Sequence, residues 1–88
     1  MTPLRVLMIE DSESDAGLIL WQLKNAGYKV NHERVEDALQ MRAALSSGWD
    51  VIIADFHLPD FDAPSALKIL QESVLDIPFI VVSGAIGE

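Results

Sequence analysis

Apolar residues in this chain gather in short runs, separated by segments in which they recur at helical spacing. Residues 4–9 read as a buried strand that ends at Glu10 and Asp11. Ser12, with Asp15 three residues on, marks a helix start, and Gly27 a stop. Between them Ile19, Leu20, Leu23 and Ala26 share one apolar face. Residues 28–35 are more polar and suit an edge strand, after which Ala38, Met41, Ala44 and Leu45 resume helical spacing up to Gly48. Residues 49–56 form the next apolar strand. Asp62 can cap a third helix with Pro64 in its first turn, turning Ala66, Leu67, Ile69 and Leu70 inward. Residues 79–83 close the pattern as a last apolar strand, followed by a Gly-rich loop.

Strands that are apolar throughout and alternate with amphipathic helices predict a parallel sheet covered on both faces. The predicted order is βαβαβαβ, an α/β doubly wound domain. With 88 residues the chain makes one domain, spanning 1–88, with no second unit. Half of its residues are hydrophobic, yet a domain this size buries only roughly 60–65% of its unfolded surface.

Charge narrows the partners. Six basic against fourteen acidic residues give a net charge of −8, which argues against nucleic acid contacts from this segment. Such a surface suits cations or a basic protein partner. The absence of cysteine excludes disulfides, thiolate metal sites and cysteine nucleophiles. The N-terminus lacks the form of a secretory signal, and the longest apolar stretch falls short of the roughly 20 residues that span a bilayer. The expectation is a cytoplasmic chain without membrane contact.

In open parallel sheets, ligands bind beyond the C-terminal ends of the strands. The predicted strands end in Glu10-Asp11, in Asp55, and in Ser83-Gly84. Carboxylates gathered there repel one another unless a proton or cation intervenes. A divalent cation such as Mg²⁺, which favours hard oxygen ligands, answers that repulsion. An Asp carboxylate can also act as a nucleophile toward phosphorus, with Ser83 placed to donate to a phosphoryl oxygen.

The segments VLMIEDSESD, DVIIADFHLPDFDAPSAL and IPFIVVSGAIGE together resemble the receiver domain of two-component response regulators. The resemblance runs the length of the chain. It implies a flavodoxin-like sheet of order 2-1-3-4-5, with a phosphoryl group taken by Asp55 from a partner histidine kinase or phosphotransfer protein in a phosphorelay. By the same resemblance Glu10, Asp11, Asp55 and the backbone carbonyl of His57 hold Mg²⁺. Ser83 contacts the phosphoryl group and helps switch an output, Pro59 shapes the loop, and Ala85 takes the small position beside the site. A receiver catalyses only its own phosphorylation and dephosphorylation, so no enzyme of the ordinary kind is implied.

Two departures from the family pattern bear on these expectations. Asp60 stands where many receivers have Gly. The chain also stops after the fourth strand, without the family's fourth helix, fifth strand and fifth helix, and so without its phosphate-binding lysine and switch aromatic. None of Arg5, Lys24, Lys29, Arg34, Arg42 and Lys68 lies just beyond a predicted strand end. The 88-residue chain is thus expected to bind Mg²⁺ while accepting phosphate weakly or not at all. Its fourth strand, left as an apolar edge, is expected to favour a dimer or swapped oligomer. The alternative function is a receiver-like interaction module that works without phosphorylation. A phosphohydrolase with an aspartyl nucleophile fits less well, because that chemistry uses a second Asp where this chain has His57.

Overall fold

The computed structural model describes residues 2–55 and 61–82. Its elements are β1 (Thr2–Ile9), α1 (Glu13–Asn25), β2 (Tyr28–Val35), α2 (Ala38–Leu45), β3 (Val51–Asp55), α3 (Ala63–Glu72) and β4 (Phe79–Val82). All four strands are parallel and lie in the order β2-β1-β3-β4. This is the α/β arrangement expected from the alternation, with the polar β2 at one edge.

Side chains set the ends of each helix. The Ser12 hydroxyl accepts from the Asp15 amide at 3.2 Å, with Glu13 and Asp15 favourably placed in the first turn of α1. Asp37 caps α2 by accepting from the Gln40 amide at 2.8 Å, and Asp62 caps α3 through the Ser65 amide at 2.8 Å. Gly27 and Gly48 follow α1 and α2 with φ of 102° and 81°, a backbone region that a residue without Cβ enters freely. Val74, after α3, takes φ of 58° despite its β-branch.

Strand alternation sends residues to two separate cores. Leu7, Ile9, Val35, Ile52 and Ala54 pack with Met41, Leu45, Ala66, Ile69 and Leu70 beneath α2 and α3. Val6, Met8 and Ile53 pack with Ala16, Ile19 and Leu20 beneath α1. Two positions, one in α3 and one at the C-cap of α1, depart from expectation. Leu67 and Ala26 are exposed, while Ala63 and Ala16 take inward places, because each buried face is narrower than the run of apolar residues.

The third strand is shorter than its apolar run suggested. Trp49 turns away, its Nε1 donating to the Ala44 carbonyl at 2.8 Å, and the Arg5 guanidinium lies 5.1 Å from the centre of its ring. Asp50 binds β1 twice, its amide donating to the Arg5 carbonyl and its carboxylate accepting from the Arg5 amide, both at 2.8 Å. Ladder pairing with β1 therefore begins at Val51. Phe56 and Ser83, expected at the ends of β3 and β4, lie outside the described residues. No helix among the described residues is long and apolar enough to cross a membrane.

Candidate metal and phosphoryl site

The β1–β3 register places the acids. Val6 pairs with Val51, and pairing runs on to Ile9 with Ala54. One further step puts Glu10 beside Asp55. Both continue the alternation that sends Met8 and Ile53 to the α1 side, so the two carboxyls emerge together at the C-terminal edge of the sheet.

Both are buried, at 3% and 6% exposure, whereas the adjoining Asp11 is exposed. One carboxylate oxygen from each of Glu10, Asp11 and Asp55 lies within 4.8 Å of the others. The side chains of Glu10 and Asp55 share a hydrogen bond, which two carboxyl groups can form only if one carries a proton. Burial chiefly, then this bond and the nearby charges of Asp55 and Asp15, raise the Glu10 pKa from 4.5 to about 8. A hydrogen bond from the Ser12 amide to Glu10 Oε1, at 3.2 Å, opposes that rise. A cation can relieve the same repulsion between carboxylates. Three hard oxygen donors, two of them packed together against their own repulsion, fit a small divalent ion such as Mg²⁺.

The backbone of Glu10 is fixed from the β2 side at both ends. Its amide donates to the Val35 carbonyl at 3.0 Å, and its carbonyl accepts from Arg34 Nη1 at 3.1 Å. The sequence pattern gave no sign of this second contact. Arg34 lies inside β2, and its reach to the neighbouring strand depends on the pairing of Met8 with Arg34. Arg34 thus lies within its strand and not beyond the end of it, in keeping with the sequence reading, while its side chain reaches the last carbonyl before Asp11.

Of the expected site residues, the structure brings Glu10, Asp11 and Asp55 together. His57 and Ser83, with Pro59, Asp60 and Ala85, lie outside the described residues. His32 is exposed on β2, as expected of an edge strand. A groove of about 450 Å³ between α2 and α3, lined by Arg42, Leu45, Ile69, Glu72 and Leu75, includes none of the clustered acids.

No family model matches the chain. Curated relatives do. The chain is 33% identical over 81 residues to the sensor kinase CckA of Brucella abortus, covering 90% of this chain and 8% of that protein. It is 32% identical over 83 residues to the two-component response regulator ARR2 of Arabidopsis thaliana, covering 91% and 12%. Against the cell cycle transcriptional regulator CtrA of Caulobacter vibrioides identity is 29% over 83 residues, covering 93% and 35%. The chain thus spans about a tenth to a third of the length of these relatives.

Proposed function

We propose, for a chain that belongs to the receiver domains of two-component response regulators, that Asp55 accepts a phosphoryl group from a phosphohistidine on a kinase-type partner. The carrying observation is the buried Asp55 carboxyl beside Glu10 and Asp11, with ligand oxygens within 4.8 Å of one another. Glu10, Asp11 and Asp55 would hold Mg²⁺, joined by the His57 carbonyl if the family pattern extends to it. The ion, when bound, supplies positive charge that offsets these carboxylates and the arriving phosphoryl oxygens.

An Asp55 oxygen attacks phosphorus in line with the bond to the departing imidazole. The P–N bond breaks, its electron pair leaves with the ring nitrogen, and that nitrogen takes up a proton. The new P–O bond makes an aspartyl phosphate. Loss of the Glu10 proton would make its carboxylate available to the ion. Ser83 would donate its hydroxyl proton to a phosphoryl oxygen and help relay the change to an output. The phosphoryl group ends on the chain's own Asp55.

We place this chemistry in the cytoplasm, in one domain over 1–88, without contacts to nucleic acid or membrane. We also propose that the chain self-associates along β4. Among the described residues β4 pairs with β3 alone, and Ile80 and Val81 stand exposed on its two faces.

Treatment with a small phosphodonor and Mg²⁺ tests the reading. One phosphoryl group should form on Asp55, detected by intact mass and peptide mapping, and it should be absent from Asp55→Asn. The rate is expected to be low, since Lys24, Lys29 and Lys68 all lie away from the C-terminal strand ends. A protein that binds Mg²⁺ but takes no phosphoryl group in any context would favour the interaction module instead.

A further inference from the structure

Asp11 is the exposed member of the cluster, and it lies in the short β1–α1 connection. What fixes that connection therefore matters to the site. Glu10 is held through its side chain by Asp55 and the Ser12 amide, and through its backbone by Val35 and Arg34. Three of these contacts come from the β1–β3 pair, the turn itself or the regular strand pairing. Arg34 differs from them, being a long charged side chain from the edge strand that crosses to the last carbonyl before Asp11.

We propose that Arg34 is a positioning residue for the acid cluster, clamping the Glu10–Asp11 backbone so that both carboxylates meet one cation. The inference rests on the metal-site reading above. A bare guanidinium this close to acidic ligands would repel a divalent ion. Arg34 is not bare, because its Nη1 also lies 3.5 Å from Glu36 Oε2. The pair is close to neutral, so its field on the cluster is small and the hydrogen bond to Glu10 dominates. A charge-assisted bond to a carbonyl is stronger than its neutral counterpart. It also occupies the carbonyl of a residue whose side chain is already committed to the site. Residues that hold ligands in place in this way commonly set metal affinity without touching the metal.

The neutrality of the pair dictates the experiment. Arg34→Ala alone would leave the Glu36 charge uncompensated, drawing in cations and hiding the loss of the clamp. The charge-matched comparison sets wild type against Arg34→Ala/Glu36→Gln and Arg34→Lys. Mg²⁺ affinity by calorimetry should fall about tenfold in the double variant and recover in part with lysine, which keeps a donor and the charge. In the metal-free proteins, ¹⁵N relaxation should show greater motion at Glu10, Asp11 and Ser12 in the double variant alone.

Wild-type affinity together with wild-type relaxation in the double variant would overturn the proposal. An equal loss of affinity in the double variant and in Arg34→Lys, with unchanged relaxation, would also overturn it. If wild type binds no Mg²⁺, the metal-site reading fails by itself and the relaxation comparison still decides the clamp. If the double variant does not fold, Arg34→Lys against Arg34→Gln/Glu36→Gln gives a charge-matched comparison in its place.

Discussion

Glu10 and Asp55 stand side by side on adjacent strands, one step past the last register pair of β1 and β3, and join through a hydrogen bond between two acids. Two buried carboxyls so placed repel one another unless a proton or a cation lies between them. The consequences can be measured.

In the metal-free protein the Glu10 pKa is about 8, against an ordinary 4.5. Between those values the folded chain holds a proton that the unfolded chain has released. Its contribution to stability is full below the lower value and is lost as pH rises through the upper one. Thermal melts in chelator across this interval should show a falling midpoint. Glu10→Gln, which keeps a donor for Asp55 but does not titrate, should flatten the decline. An equal decline in the variant would place its origin elsewhere.

Asp55→Asn removes the neighbouring charge and leaves an amide that can donate to Glu10. The Glu10 pKa should fall yet stay above its ordinary value, since burial is the first cause of the rise. Metal-free stability at neutral pH should increase by about 1 kcal/mol, the equivalent of less than one pKa unit. Urea unfolding in chelator checks this, and a loss of stability would contradict the strained-pair account.

How much of this was legible in the sequence differs by feature. The caps Ser12 and Asp62 and the stops at Gly27 and Gly48 declare themselves through local chemistry, and all four are in place. The polar composition of residues 28–35 marked β2 as an edge, and the sheet order agrees. Leu67 shows the limit of spacing, because an apolar residue at the margin of a helical face can sit on either side of it. Trp49 was drawn into a strand by its apolarity, although its indole N–H needed a partner and found one in α2. At the site, the acids were visible as residue types at strand ends. The pairing of Glu10 with Asp55 and the reach of Arg34 depend on interstrand register, which a single sequence does not display.

Val74 carries strain without visible return in packing. Its φ is 58° and its side chain is 94% exposed. A β-branched residue in this region costs on the order of 1 kcal/mol or more. Val74→Asn, which tolerates the conformation and forfeits no burial, should stabilise the fold by about 1 kcal/mol in chemical unfolding. No gain would mean that the backbone there relaxes at little expense.

Ile80 and Val81 are 49% and 47% exposed on β4. If this edge mediates self-association, sedimentation of the 88-residue chain should depend on concentration, and Ile80→Lys or Val81→Lys should weaken that dependence. A concentration-independent wild-type monomer would rule out the β4 contact.

The central claim is that Glu10, Asp11 and Asp55 form one site in which a cation replaces a shared proton. Calorimetric titration with Mg²⁺ at neutral pH, repeated in buffers of different ionisation enthalpy, tests it most directly. The account predicts one ion per chain, bound with release of close to one proton, with binding sharply weakened in Asp11→Asn and Asp55→Asn. Binding without proton release, or binding indifferent to both substitutions, would contradict it.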